Sequence, residues 1–439
     1  MNALKHIVLF GAGKSATVLI DYLKEIATEN VWKVTVADSN LEAVQSKVGT
    51  HELVKAVQID IENSEQRKAL VQEADLVISM MPHWLHYLIA LDCIEFGKHL
   101  LTASYVSDDI KELEPAMLEK KLLFLCEMGL DPGIDHMSAM QLFHRIKDEG
   151  GKITSFKSHC GGLVAPENDD NPWHYKISWN PRNIILSGKA GAVYKENGKE
   201  VHLPYEALFN ADRLVNVPGC DVFSYYPNRD SLGYIDLYDL HNAETFVRTT
   251  LRHPEFSFGW KNIVDLKLTD DELVYNTEGM TVAAFFKTHF EKHHNESLAL
   301  KIQETEIGEK QFNFIGINDE TLINKGVCSA ADILQQILEK KLALLPDDKD
   351  MIVMLHEIDY NVNGAKHSIQ SSLVVKGENS LRTAMAKTVG LPLGIAARLI
   401  LEGKINETGL HIPVKATIYE PVLNALKNYG IVFHETGKE

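Results

Sequence analysis

No apolar run in this 439-residue chain is expected to approach the roughly 18 residues of a membrane span. The N-terminus has no basic stretch followed by a longer apolar one, so no leader is expected and a soluble, cytoplasmic protein is. Cysteine is scarce. Cys93, Cys126, Cys160, Cys220 and Cys328 are scattered, odd in number and without C-x-x-C spacing. That pattern argues against disulfides or a cysteine zinc site and for reduced thiols. Positive charge is short as well: 44 Lys and Arg face 61 Asp and Glu, leaving −17. Such a surface repels nucleic acid and anionic membranes. An anionic small ligand would then need cations supplied locally, which makes individual arginines informative.

What is present is an ordinary globular composition, 45% hydrophobic and 24% charged, without internal repeats or low-complexity tracts. The length implies two or three domains. Disorder is expected only in the polar tail after His434.

The opening stretch "HIVLFGAGKSAT" contains G-K-S, which invites a phosphate-loop reading. A Walker A loop needs a glycine five positions before the G of G-K-S, and Val8 stands there, inside an apolar strand. The ATPase reading therefore fails. The alternative, G-x-G-x-x-A between a strand and a helix, is met by Gly11, Gly13 and Ala16. In that motif the first glycine makes the turn, the second lets backbone approach a pyrophosphate, and the small third residue allows close helix packing. An acid, Asp38 in "VTVADSN", stands 22 residues past Ala16, where it would bond the adenine ribose hydroxyls and repel a 2′-phosphate. These features predict a dinucleotide, with NAD favoured and NADP less so.

The first 130 residues alternate strand-length apolar runs (His6–Phe10, Trp32–Ala37, Lys55–Ile59, Asp75–Ser79, His99–Leu101, Leu122–Cys126) with stretches of helical spacing. Nearly continuous apolar strands predict a parallel sheet covered on both faces, hence a doubly wound Rossmann fold. After Asp131-Pro132-Gly133 a helical stretch, Ile134–Lys147, is followed by turn-rich segments up to about His253. Residues 261–345 read as helical. A hairpin is predicted around Asn363-Gly364, and helices over Ala384–Leu401 and Pro421–Tyr429.

The loops beyond the apolar strands, "SMMPHWLHY", "LTASYVS" and "CEMGLDPGIDH", place polar residues where a dinucleotide sheet binds ligands. With "TASYVSDDIKELEP", "EMGLDPGIDHMSAM", "CGGLVAPENDDNPWHYKISW", "YYPNRDS", "ETFVRTTLRH" and "TVGLPLGIAARLILEGKI", they resemble saccharopine dehydrogenases of the L-glutamate-forming type almost end to end. The resemblance implies a Rossmann domain (1–130, completed by about 395–439), a mixed α/β catalytic domain (131–260 and 346–394) and a helical insertion (261–345). It further implies reversible oxidation of L-saccharopine to L-glutamate and L-2-aminoadipate 6-semialdehyde in lysine metabolism, and a homodimer. Fungal NADP-using members carry arginine where Ser39 stands here, so NAD preference is expected, as in the plant and animal enzyme.

By the same resemblance, substrate contacts fall to Ser104, Tyr105, Asp131, Arg229, Thr250, Leu251 and Arg252. Arginine suits a carboxylate because its planar fork makes two parallel charge-assisted bonds. Cofactor contacts map to Gly11, Ala12, Gly13, Lys14, Ser15, Asp38, Ser39, Asp60, Ile61, Met81, Ser104, Tyr105, Leu130, Ile134, Asp135 and Asn180. Proton-transfer candidates are Tyr105, Asp131, Cys160 and His136, with no signature that selects one.

His83 and His86, and His293-His294, lack a third ligand at metal spacing, so no metal is expected and these histidines read as solvated or packed. Glu167–Asp170 reads as a solvated loop. Two other functions compete: a relative acting on a carboxyspermidine-type secondary amine, which Arg229 and Arg252 disfavour, and a non-catalytic NAD(H) sensor.

Overall fold

The computed structural model describes residues 4–438, which form two compact units. The first runs through Gly151 and is completed by Leu381–Phe433. Its sheet contains β1 (His6–Phe10), β2 (Lys33–Asp38), β3 (Val54–Gln58), β4 (Leu76–Ser79), β5 (His99–Thr102) and β6 (Leu123–Leu125). All pair in parallel, in the order β6-β5-β4-β1-β2-β3, and Gly409–His411 adds a seventh parallel strand beside β6. This is the Rossmann strand order, whose direction reverses between β1 and β4 and opens a ligand crevice at the strands' carboxyl ends. β1 is buried along its whole length and β4 likewise, as strands covered by helices on both faces must be.

Helix α1 (Thr17–Asn30) packs on Ala384–Leu401, while α2 (Leu41–Val48) lies over β2 and β3. Ala384–Leu401 corrects the expectation about apolar length: by length and composition this helix could cross a membrane, with a mean hydropathy of 1.4. It is 72% buried, however, as a core helix. Lys387 and Arg398 interrupt it, so a search for uncharged runs misses it.

The second unit is Lys152–Ser380 with the last strand, His434–Lys438. Its mixed sheet runs Leu214–Asn216, Val222–Pro227, Thr245–Arg252, Lys152–Val164, Asp350–Val362, Ala365–Lys376, His434–Lys438. Asn363 and Gly364 close the long hairpin with φ of 52° and 86°, the left-handed pair an Asn-Gly turn supplies. Helices Pro254–Asp265, Val282–His293, Glu306–Ile315 and Ala330–Lys341 share a core with Trp173, Trp260, Phe256 and Phe285.

Two differences from the expected boundaries have packing causes. Helix Ile134–Asp148 stays with the first unit because it packs against Ala416–Leu426. The segment after His434, expected to be disordered, pairs with Ala365–Lys376 instead, an edge that its backbone satisfies.

Candidate functional site

Gly11 takes φ 98°, and a Cβ on it would sit 2.9 Å from the carbonyl carbon and oxygen of Met80. Glycine is thus demanded by the turn itself, where β1 lies against the end of β4. Gly13 is different. A Cβ there would meet no protein atom within 4 Å. Packing does not require that glycine, and the open space above its backbone leaves room for a group such as a pyrophosphate. Lys14 is exposed and Ser15 half-buried, opening a short 3-10 turn that leads into α1, while Ala16 is buried under it.

Asp38, at the end of β2, turns toward this loop. Its Oδ2 accepts the Ala12 N–H at 2.7 Å, and its Oδ1 accepts the Asn40 N–H at 3.1 Å and the Ser39 hydroxyl at 3.3 Å. From α2, Lys47 Nζ donates to the carbonyls of Ala12 and Gly13, both at 2.6 Å. Asp60 is exposed beyond β3 and caps Glu62 N–H at 3.0 Å; Ile61 and Met81 pack on the core under the sheet's edge.

The loops after β4, β5 and β6 are tied together by buried polar groups. His86 bonds Ser79 Oγ through Nδ1 at 2.7 Å and Ser104 Oγ through Nε2 at 2.8 Å. Burial, then the neighbouring His83, drops His86 to a pKa of about 4, so it is neutral at physiological pH. Glu127 accepts the Val106 N–H at 3.1 Å and donates its own N–H to the Ser104 carbonyl at 3.1 Å. Its other carboxylate oxygen meets His136 Nε2 at 2.8 Å. The Ser104-Tyr105-Val106 loop is therefore held from both sides, with the Tyr105 side chain half-buried between.

Asp131 is half-buried beside the cis bond to Pro132. It does not cap the following helix: Gly133 stands at the cap, and Asp135, 2% exposed, accepts the Gly133 N–H at 2.6 Å. Leu130 and Ile134 are buried in the same turn, so their backbone, rather than their side chains, borders the loop.

The remaining positions lie in the second unit. Cys160, 6% exposed, pairs in register with Thr250 on one side and Met354 on the other. Thr250 is half-buried and Leu251 fully buried. Arg252 is only 4% exposed. Its Nη1 donates to the Leu251 carbonyl at 2.8 Å, its guanidinium lies 5.2 Å from the Tyr175 ring and 5.3 Å from Phe256, and Nε has no hydrogen-bond partner. Among the described residues no carboxylate pairs with it, an arrangement costly for a buried cation unless a ligand supplies the anion. Arg229, exposed at φ 54°, is set by its bridge to Ala192. Asn180 is exposed and caps Pro181–Ile185, accepting the Arg182 N–H at 3.0 Å.

Three groups were missed or undervalued in the sequence. Lys47 is one surface-type lysine among many, with no motif to mark it. His86 and Glu127 look packed because they are, and only their partners give them a role. The acidic loop Glu167–Asp170 is ion-paired rather than merely solvated, to Lys376, His174 and Lys176. Among the described residues no cluster of three metal-ligating side chains exists.

Together these features define a Rossmann-type dinucleotide-binding unit and a mixed-sheet unit bearing a buried arginine that has no carboxylate partner among the described residues. The family models for the saccharopine dehydrogenase NADP binding domain and C-terminal domain match residues 7–124 and 129–431, and the chain belongs to the saccharopine dehydrogenase family. It is 30% identical to the NADP(+), L-glutamate-forming saccharopine dehydrogenase of Saccharomyces cerevisiae over 98% of this chain and 99% of that one. It is 32% identical to alpha-aminoadipic semialdehyde synthase of Arabidopsis thaliana, over 99% of this chain but 45% of the relative. The chain thus spans about half the length of such relatives and the full length of the fungal ones. The solved apo structure of the S. cerevisiae L-Glu-forming enzyme superposes with a TM-score of 0.87 at 30% identity, covering 99% of this chain and 100% of that one.

These likenesses overturn the expected NAD preference. The fungal relatives are named for NADP(+), and the matching family model is an NADP binding domain. The inference from Asp38 assumed a carboxylate pointing at the ribose. In the structure that carboxylate is committed to the Ala12 and Asn40 amides, with an ammonium on the same turn.

Proposed function

We propose that this chain is an L-glutamate-forming saccharopine dehydrogenase that uses NADP(H), interconverting L-saccharopine, NADP⁺ and water with L-glutamate, L-2-aminoadipate 6-semialdehyde and NADPH. The observation that carries the substrate reading is Arg252: buried, without a carboxylate partner among the described residues, and carrying an unpartnered Nε. Saccharopine brings three carboxylates, and one of them completes this group by charge-assisted bonds. Arg229 supplies a second guanidinium on the same unit.

A bound nicotinamide dinucleotide would accept the hydride from the carbon next to the secondary amine. The chain's own residues do the rest. Gly11 and Gly13 shape the turn for the pyrophosphate, and the His86-buttressed Ser104 hydroxyl and Tyr105 are fixed before any ligand arrives, which lowers the ordering cost of binding. Asp131 holds the substrate nitrogen and takes the proton that its ammonium must lose before the hydride departs. Water then adds to the resulting iminium carbon, releasing one proton to solvent, and Asp131 returns its proton to the nitrogen. The carbinolamine then breaks its C–N bond, and the amine leaves as that of glutamate.

Product analysis tests this reading. Incubation of L-saccharopine with NADP⁺ is expected to release L-glutamate and an aldehyde in equal amounts. Release of lysine and 2-oxoglutarate, or no reaction, would refute it.

A further inference from the structure

We propose that Lys47 is the residue that reads the 2′-phosphate of the dinucleotide, a role resting on the NADP assignment above. An acid at the end of the second strand ordinarily excludes that phosphate. Here each oxygen of Asp38 already accepts a backbone amide, Oδ2 that of Ala12 and Oδ1 that of Asn40, with the Ser39 hydroxyl also on Oδ1. Lys47 reaches the same turn from α2. Its ammonium spends two of its three protons on the Ala12 and Gly13 carbonyls and keeps one.

No carboxylate forms an ion pair with Lys47 among the described residues, so its charge is left to offset Asp38 and to meet an anion at the adenosine end. Burial holds the pKa of this ammonium below its ordinary value, partly offset by the nearby Asp38 charge. Two other nearby cations are otherwise placed, whereas Lys14 is exposed on the turn itself. Arg67 is buried and locked to Asp92 at 2.5 Å and to the Ile61 carbonyl at 2.7 Å, and Lys24 donates to the Lys47 carbonyl at 3.3 Å. The cation for the 2′-phosphate is thus an ammonium delivered from α2 rather than a group on the turn after β2.

Calorimetric binding of adenosine 2′,5′-bisphosphate and of 5′-AMP to the full chain tests this without turnover, since the two differ only in the 2′-phosphate. The wild type is expected to favour the bisphosphate by about tenfold or more. Lys47→Met should abolish that preference, affinity for the bisphosphate falling at least about tenfold further than affinity for 5′-AMP, and Lys47→Arg should retain it. Lys47→Gln, which keeps a donor for the turn carbonyls without the charge, should behave as Lys47→Met and serves if the latter does not fold. A preference that survives both neutral variants overturns the role of Lys47 and leaves the NADP assignment standing. Equal loss for both nucleotides makes Lys47 a clamp on the turn and also overturns it. A wild type without preference removes the NADP assignment itself.

Discussion

His86 Nε2 lies 2.8 Å from Ser104 Oγ, and through this contact a buried neutral imidazole fixes a hydroxyl at the carboxyl end of the parallel sheet. The same ring reaches Ser79 at the end of β4, so two adjacent strand ends share one support. In the unfolded chain a histidine titrates near 6.5; burial and His83 bring this one to about 4. Between those values the unfolded state binds the extra proton, so stability is present above pH 6.5 and lost as pH falls toward 4. The contribution is on the order of 3 kcal/mol at most. Urea unfolding of wild type and His86→Asn at several values across that window should show the acid-side slope reduced in the variant. Equal slopes would mean that His86 is not held neutral.

The two glycines of the opening turn should separate fold from binding. Gly11→Ala forces a left-handed alanine into the Met80 carbonyl and is expected to cost roughly 2 kcal/mol or more. Gly13→Ala meets no protein atom and should leave stability within about 0.5 kcal/mol, yet weaken dinucleotide affinity at least about tenfold. Thermal melts paired with fluorescence titration of NADPH check both. A Gly13→Ala variant with unaltered affinity would show that no phosphate lies on that backbone.

Lys176, 5% exposed, bridges Asp170 and Asp348 at 2.8 Å each, pinning the loop that carries Tyr175. Lys176→Met leaves the buried Asp348 with only neutral donors, Asn168 Nδ2 and the Leu345 N–H, and removing the charged partner of such a pair costs up to about 3–5 kcal/mol. Denaturant unfolding should therefore shift to a clearly lower midpoint. A shift too small to resolve would place the pair in effectively aqueous surroundings.

Much of the first unit was legible because burial on both faces leaves an uninterrupted apolar run, as in His6–Phe10 and Leu76–Ser79, and because Gly11 and Asp38 sit at fixed distances along the chain. Lys152–Val164 was not legible. Its sequence, "KITSFKSHCGGLV", mixes glycine, serine and histidine, and only pairing on both sides makes it a central strand. Gly409–His411 is three residues long, too short to announce itself. At the site, sequence could name Arg252, Ser104 and Asp38 but not their surroundings. Identity does not reveal that Arg252 has no acid beside it among the described residues, or that Asp38 accepts the Ala12 and Asn40 amides. The mistaken cofactor preference came from reading a residue type without its orientation.

The proposed role of buried Arg252 is to take a substrate carboxylate. Saccharopine-dependent reduction of NADP⁺, measured side by side for wild type and Arg252→Met, tests it most directly. The prediction is turnover by the wild type, and a fall in kcat/KM for saccharopine of about 100-fold or more in a variant whose Tm is unchanged or higher, since an unpaired buried charge has been removed. A variant that matches the wild-type kcat/KM, or a wild type that reduces no NADP⁺, would contradict it.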